Sequence, residues 1–207
     1  NLPVTIVNVG AGVSYGNLGY THHSLQDYGL MRLFPNMVIA SPGDDMEVRA
    51  CMKYIVKNPQ PSYLRLAKTK NKILHKKIPN VRPGKWLPIS VKHTQSKKIF
   101  LTTGNIASLA KDLLLRVKYN KFSLYSLPIW GMKFKNIQLN QLKKWDEVLV
   151  LEDHLEDGGF GSWIKESTNN RKIKTKIISK SIDKKIISKV GSEQYLLDKY
   201  YLKFFGK

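Results

Sequence analysis

Several features are scarce or missing in this chain of 207 residues. It has one cysteine, Cys51, which excludes an internal disulfide and a cysteine-based metal site. It has no apolar run near the roughly 20 residues that span a bilayer, and its N-terminus lacks the charged-then-apolar pattern of a secretion signal. We therefore expect a protein that is neither membrane-inserted nor secreted, and the sequence predicts a cytoplasmic location.

Acidic residues are also few, at 15 against 35 Lys and Arg, which gives a formal net charge of +20. A hydrophobic content of 42% excludes a disordered basic tail. Residues 1–67 carry a net charge of +1 and the rest +19, so nucleic acid is a candidate partner for the basic part. However, 29 of the basic residues are Lys and six are Arg, the better phosphate and base ligand. This composition favours a solvated Lys-rich surface over a nucleic-acid site.

Apolar patterning in the first third of the chain alternates between strand and helix. The predicted order is strand 3–9, helix 24–34, strand 37–40, helix 45–57 and strand 62–67. Short connections between alternating strands and helices are typical of parallel sheets in α/β folds.

A proline-rich stretch, 68–97, interrupts this alternation, which then resumes. The later prediction is strand 98–103, helix 105–118, strand 122–129, helix 140–145, strand 147–151, a helix from Ser162, strand 174–179 and a terminal helix after Ser192. We expect two small three-layer α/β domains with mainly parallel sheets. The predicted division is 1–67, a linker over 68–97, and 98–207.

A glycine-rich loop, residues 10–23, follows the first strand and ends in His22 and His23. Open α/β sheets bind ligands beyond the carboxyl ends of their strands, and glycine lets the backbone approach a ligand closely. A histidine there is able to exchange a proton with a polar substrate group near neutral pH. The alternative is a histidine that caps its own helix. Adjacent histidines without a third ligand disfavour zinc, and the glycine spacing matches neither a P-loop nor the dinucleotide fingerprint.

Two further groups of residues are candidates for chemistry. Arg65 and Lys68 stand at the end of a predicted strand, where they are either phosphate ligands or an exposed cationic pair at a domain exit. Residues 151–162 (LEDHLEDGGFGS) form either an acid/base cluster or, as we favour, a hydrogen-bond network between domains or subunits.

Several of these segments together resemble the transketolase family. Residues 16–23 (GNLGYTHH), 33–37 (LFPNM) and 41–44 (SPGD) are similar to the signatures of transketolase pyrimidine-binding domains. Residues 103–105 (TGN), 151–162 and 191–197 (GSEQYLL) resemble, in the same order, the transketolase C-terminal domain. The resemblance covers nearly the whole chain and is of the kind seen in separately encoded C-terminal subunits of two-chain transketolases.

The resemblance implies transfer of a two-carbon ketol unit between sugar phosphates, with thiamine diphosphate and Mg2+ as cofactors. It implies that His22 faces cofactor and substrate, that Lys68 aligns with a phosphate-contacting Arg, and that Arg65 matches a basic position of deoxyxylulose-phosphate synthases. Leu18 stands where the family often has an Asp that binds a substrate hydroxyl. Gly10 stands where sugar-phosphate transketolases have a His, so the sugars are expected to differ.

The resemblance also implies that essential parts lie elsewhere. The Glu that activates the cofactor and the diphosphate-and-metal motif have no match here, and the chain begins at Asn1 without Met. We therefore expect a chain that is inactive alone and that pairs with an N-terminal transketolase subunit or section, as a homo- or heterodimer. The alternatives are a deoxyxylulose-phosphate synthase, the E1 β subunit of a 2-oxoacid dehydrogenase and, outside enzymes, a basic nucleic-acid-binding module.

Overall fold

The structure is a computed structural model that describes residues 2–68, 72–92, 97–168 and 171–206. The described strands are β1 (Thr5–Val9), β2 (Val38–Ala40), β3 (Ser62–Leu66), β4 (Leu87–Ser90), β5 (Lys98–Thr102), β6 (Ser123–Ser126), β7 (Ile129–Trp130), β8 (Glu147–Leu151) and β9 (Lys176–Lys180). The α-helices are α1 (Asp27–Arg32), α2 (Asp45–Lys57), α3 (Ile106–Leu113), α4 (Gln138–Leu142), α5 (Phe160–Glu166) and α6 (Glu193–Tyr200).

The strands form two sheets flanked by helices. The first has the order β1-β3-β2-β7 and the second the order β4-β6-β5-β8-β9. Five of the seven pairings between the described strands are parallel, and the antiparallel ones join β2 to β7 and β4 to β6. The predicted α/β fold with mainly parallel sheets is confirmed.

Local sequence explains where α2 begins and ends. The Asp44 carboxylate accepts a hydrogen bond of 2.8 Å from the Glu47 backbone N–H, which satisfies one of the free donors of the first turn. Asn58 and Pro59 follow the last turn, because proline cannot donate the bond that would continue the helix. In the described ranges no helix has the length and apolarity needed to cross a membrane.

Two of the predicted elements are wrong in extent. The strand predicted over 122–129 is two strands, β6 and β7, in different sheets, because Pro128 lacks the N–H needed to continue the ladder and its carbonyl accepts from the Ser41 N–H at 2.8 Å. The helix predicted to reach residue 118 ends at Leu113. Val117, which the pattern placed inward, is 87% exposed.

The two sheets share a hydrophobic core. Aromatic side chains fill the space between them, with the Trp130 ring 5.1 Å from the Tyr28 ring and 5.2 Å from the Trp163 ring. Strand β7, which lies in the segment 98–207, pairs with the first sheet, and β4, from the segment 68–97, forms an edge of the second. The division into 1–67, 68–97 and 98–207 stays a prediction, and the described strands interleave across it.

A buried ion-pair network joins the sheets at their carboxyl edges. The Arg65 guanidinium, on β3, donates from Nε to the Asp27 carboxylate at 2.6 Å and from Nη1 to Asp153 Oδ1 at 2.7 Å. Its Nη2 donates to the Ser24 carbonyl at 2.7 Å, and the guanidinium lies 4.3 Å from the Tyr28 ring centre. Because Asp153 follows β8, this one side chain links the end of a strand in each sheet.

Replacing Arg65 by Met is expected to lower the free energy of unfolding by about 3–5 kcal/mol, because two buried carboxylates lose their cation. Urea unfolding followed by circular dichroism measures the loss. The matched control is Arg49→Met on the exposed side of α2, which is expected to change stability by no more than about 0.5 kcal/mol. Equal stability of the two variants would show that the network does not hold the sheets together.

Candidate functional site

The glycine-rich loop, residues 10–23, lies over the carboxyl ends of β1 and β3. The backbone N–H groups of Gly10 and Ala11 both donate to the Leu66 carbonyl, at 2.8 and 3.0 Å. Gly12 and Ser24 then exchange backbone hydrogen bonds of 3.2 and 2.9 Å, which close the loop onto itself. The remaining loop residues are thereby held at the edge of the sheet where α/β folds bind ligands.

Tyr15 brings the predicted site residues together. The His22 ring packs edge-on against the Tyr15 ring with the ring centres 6.1 Å apart. The Lys68 ammonium lies 4.8 Å from the centre of the same ring, as in a cation–π contact. His22 and Lys68, which are 46 positions apart in sequence, therefore share one exposed surface. We call Tyr15, His22 and Lys68 the Tyr15 cluster.

The sequence alone did not identify Tyr15 as a site residue, although the glycine at position 10 is a signal that a large side chain packs there. Residue 10 has φ +112°, and a Cβ atom built there would lie 2.4 Å from Cδ2 of the Tyr15 ring. Only glycine leaves room for the ring in this conformation. A glycine where the family has a larger residue thus signals that another side chain occupies the space.

The two adjacent histidines have different surroundings. His22 is exposed, and its Nδ1 is 2.9 Å from the Thr21 hydroxyl. His23 is half-buried, and neither of its ring nitrogens has a hydrogen-bond partner in the part of the chain that the structure describes. Burial lowers the pKa of His23, so its ring is neutral at pH 7 and offers one donor and one acceptor. His23 thus differs from the exposed His22, because its ring nitrogens are buried within the loop.

Arg65 does not join the Tyr15 cluster. Its side chain is fully buried, and each of its three nitrogens donates to a protein group. Desolvation lowers the pKa of the guanidinium, but Asp153 and Asp27 outweigh it and the pKa is raised. A phosphate-binding role for Arg65 stays a prediction, and the contacts of its side chain support a structural role.

Of residues Glu152, Asp153 and His154, only Asp153 hydrogen-bonds to a described residue of the first sheet, Arg65, and the network that we favoured between domains or subunits stays a prediction. Glu152 accepts from the Phe160 and Gly161 backbone N–H groups at the start of α5, at 2.5 and 3.0 Å, and burial raises its pKa to about 8. The His154 Nδ1–H donates to the Leu155 carbonyl at 2.7 Å, and its ring stacks on Tyr28 with the ring centres 5.0 Å apart. All three residues of this motif are buried, and their partners are protein groups.

The segment before α6 supports the loop from the other side. The Gly191 N–H donates to the Gly16 carbonyl at 3.1 Å, and a Cβ at residue 16 would lie 2.5 Å from the Gly191 carbonyl oxygen. The two segments touch backbone to backbone, and the loop conformation therefore depends on the C-terminal part of the chain.

The side chains of the described residues indicate which kinds of ligand this part of the chain is able to bind. Among the described residues, no three His, Cys, Asp or Glu side chains are placed to hold one metal ion. His22 of the loop is exposed and offers a polar group to an organic ligand.

Comparison with known proteins places these residues in a family. Residues 1–72, which contain the whole glycine-rich loop and Lys68, match the family model "Transketolase, pyrimidine binding domain". Over these residues the chain is similar to transketolase pyrimidine-binding domains. Transketolases and 1-deoxy-D-xylulose-5-phosphate synthases use thiamine diphosphate.

Curated relatives agree with this similarity. The chain is 45% identical over 65 residues to one subunit of the apulose-4-phosphate transketolase of Phocaeicola vulgatus, covering 31% of this chain and 21% of that one. It is 27% identical over 168 residues to the corresponding subunit from Actinobacillus succinogenes, covering 80% and 53%. A 1-deoxy-D-xylulose-5-phosphate synthase of Clostridium beijerinckii is 28% identical over 99% of this chain and 33% of its own length.

Solved structures show the same fold. A split-gene transketolase, described as an inactive β4 tetramer, superposes with a TM-score of 0.74 at 20% identity, covering 95% of this chain and 61% of that one. The transketolase of Leishmania mexicana superposes with a TM-score of 0.72 at 16% identity, covering 97% and 29%. The chain spans about half the length of the Actinobacillus relative and less of the other two curated relatives.

Gly10→Ala is expected to destabilise the protein by about 1–3 kcal/mol, since residue 10 has a positive φ and the Tyr15 ring occupies the space of its Cβ. Thermal and urea unfolding measure the change.

Gly29→Ala in α1 is the control, because a Cβ there meets only ordinary contacts of 3.7 Å and alanine favours helix. That variant is expected to be neutral or slightly more stable. Equal losses in both variants would contradict the packing of Tyr15 on residue 10.

Proposed function

We propose that this chain supplies the pyrimidine-binding side of a thiamine-diphosphate-dependent transferase that moves a two-carbon ketol unit between sugar phosphates. When bound, thiamine diphosphate supplies the carbanion chemistry of the transfer. The observation that carries the proposal is the Tyr15 cluster, which lies beyond the strand ends within the residues that match the pyrimidine-binding family.

Each member of the Tyr15 cluster fits a role in that reaction. Lys68 offers a cation to a substrate phosphate, and the Tyr15 ring holds its ammonium at the edge of the loop. His22, also against Tyr15, is placed to donate a hydrogen bond to a sugar hydroxyl or carbonyl, and neutral His23 lies next to it in sequence. The protein groups thus bind and orient the sugar phosphate.

Two departures from the family pattern point to an unusual sugar. Leu18 is 56% exposed on the same loop, where an Asp would bind a substrate hydroxyl. Tyr15 occupies the space beside Gly10, where sugar-phosphate transketolases have a His. The apolar Leu18 favours a sugar phosphate with fewer hydroxyls at that position. Apulose 4-phosphate, named for two of the relatives, is the first substrate to test.

A partner chain or section completes the site in this proposal. Strand β1 has no strand on its outer side among the described residues, and its valines are exposed on that edge, at 55% for Val7 and 51% for Val9. Exposed apolar edges are protected in native proteins by another element. The names of the relatives, which describe a subunit and a split gene, support an N-terminal transketolase subunit or section as that element.

A 1-deoxy-D-xylulose-5-phosphate synthase is the second candidate, because such enzymes align with this chain over nearly its full length. The same Tyr15 cluster would bind its phosphorylated substrate. Separate assays distinguish the two, one for ketol transfer between sugar phosphates and one for formation of 1-deoxy-D-xylulose 5-phosphate.

The chain alone, with thiamine diphosphate, Mg2+ and apulose 4-phosphate plus an aldose phosphate, is expected to give no turnover, because the diphosphate-and-metal motif of the transketolases has no match in this sequence. Adding the N-terminal subunit of a two-subunit transketolase is expected to restore ketol transfer, measured by coupled assay. Co-elution of the two chains is checked by size-exclusion chromatography. Turnover by the chain alone, or none in a co-eluting complex, would contradict the proposal.

In the active complex, Lys68→Met is expected to raise KM for the phosphorylated substrate about tenfold, since one charge-assisted contact is lost, while kcat changes little. Steady-state kinetics with the phosphorylated substrate measures KM and kcat separately. Lys53→Met, on the exposed side of α2, is the matched control with unchanged KM. An unchanged KM in both variants would contradict the proposed role of Lys68 in binding the substrate phosphate.

A further inference from the structure

A separate cavity of about 530 Å³ lies between α3 and α6. Its volume is in the range of small-molecule sites. Most of its wall is apolar and includes Leu109 and Leu113 of α3, Leu197 of α6 and Val13 of the glycine-rich loop. No member of the Tyr15 cluster lines it.

Two polar atoms on this wall lack partners within the described residues. Asp153 is 2% exposed, and its Oδ1 accepts from Arg65, but its Oδ2 accepts no hydrogen bond. Asn105, at the start of α3, has a buried Oδ1 that is also unpartnered. Both atoms are hydrogen-bond acceptors, and a buried acceptor without a donor costs free energy. A ligand that satisfies this wall must bring donors.

The glycine-rich loop packs closely on Asp153. A Cβ at residue 12 would lie 2.5 Å from Asp153 Oδ2, so glycine at this position lets the loop backbone approach the carboxylate. Residue 12 has φ +62°, which also favours glycine.

The net charge of the buried ion-pair network indicates which kind of hydrogen-bond donor a ligand would bring to Asp153. Arg65 contributes one positive charge to the buried network, against negative charges on Asp27 and Asp153. Burial lowers the pKa of His154, which therefore adds no charge at pH 7, and Glu152 adds a further negative charge when it ionises. The network is left with an excess of negative charge, which a cation beside Asp153 would neutralise.

Basic side chains at the rim already have acceptors. Lys72 donates to the Asp112 carboxylate at 2.6 Å, and Arg116 donates to the Gly206 carbonyl at 2.7 Å. Neither cation is therefore directed at Asp153 in this structure. Among the described residues, the buried Asp153 Oδ2 thus has no protein donor.

From these observations we propose that the cavity is a binding site for a small organic cation, with an apolar body between α3 and α6 and a primary ammonium group on Asp153 Oδ2. An ammonium has three donors, which fits the Asp153 and Asn105 oxygens together. The site is independent of the proposed transferase reaction, and binding to it is measured without any activity.

The test titrates the 15N-labelled chain with 2-phenylethylamine and follows backbone amide shifts by NMR. Saturable shifts are expected on α3 and α6. The neutral isostere 2-phenylethanol is expected to bind at least about tenfold more weakly, because it lacks the charge, and the anion 3-phenylpropionate is expected not to bind. Equal binding of amine and alcohol, or no saturable shift, as from a cavity that holds only water, would overturn the proposal.

Two pairs of variants locate the binding. Asp153→Asn is expected to abolish the preference for the amine over the alcohol, whereas Asp45→Asn, on the exposed start of α2, keeps it. Because Asp153→Asn also weakens the ion pair with Arg65, a second variant leaves that network intact. Leu109→Trp fills the cavity and is expected to remove binding, while Leu115→Trp, at a residue 84% exposed, retains it. Unchanged binding in Leu109→Trp would show that the amine does not bind in this cavity and would overturn the proposal.

Discussion

The ion pairs of Arg65 with Asp27 and Asp153 are the interaction on which the rest of this structure depends. Arg65 lies near the end of β3 in the first sheet and Asp153 follows β8 of the second, so one guanidinium fixes the carboxyl edges of both sheets against each other. Removing two carboxylates and an arginine from water is costly, and the cost is offset here only because nearly every donor has an acceptor. The position of the glycine-rich loop follows from this arrangement, since Ser24, directly after it, also accepts from Arg65.

The conformation of the glycine-rich loop is held from three directions. Leu66 anchors its beginning, Gly191 supports its middle, and the Tyr15 ring fills the space beside Gly10. Glycines at these points allow backbone contact and positive φ angles that other residues resist. The loop thereby presents His22 beside Lys68, while its Val13 forms part of the α3–α6 cavity. One loop contributes to both a proposed substrate site and a proposed cation site.

The large positive charge of the chain has little part in either site. Most of it lies after residue 67, and some of these lysines are already paired, as Lys98 is with Glu147 and Lys165 with Glu156. Such exposed pairs contribute little to stability. Other lysines, such as Lys118 and Lys199, also lie over aromatic rings, but the ring that Lys68 contacts belongs to the glycine-rich loop. A charge becomes informative about function where neighbouring groups fix its position.

The sequence by itself determined the α/β class, most of the alternation of strands and helices, and the resemblance to transketolases. Hydrophobic periodicity and turn residues are local signals, and the glycine-histidine loop and the Glu152-Asp153-His154 motif are continuous in the chain. Only the tertiary structure decided which side chains meet. It buried Arg65, which sequence spacing grouped with Lys68, and it placed Tyr15 between His22 and Lys68. It also showed that residues 129–130 pair with the first sheet rather than extending the strand of the second. Burial and strand pairing depend on segments far apart in the chain, and no local pattern encodes them.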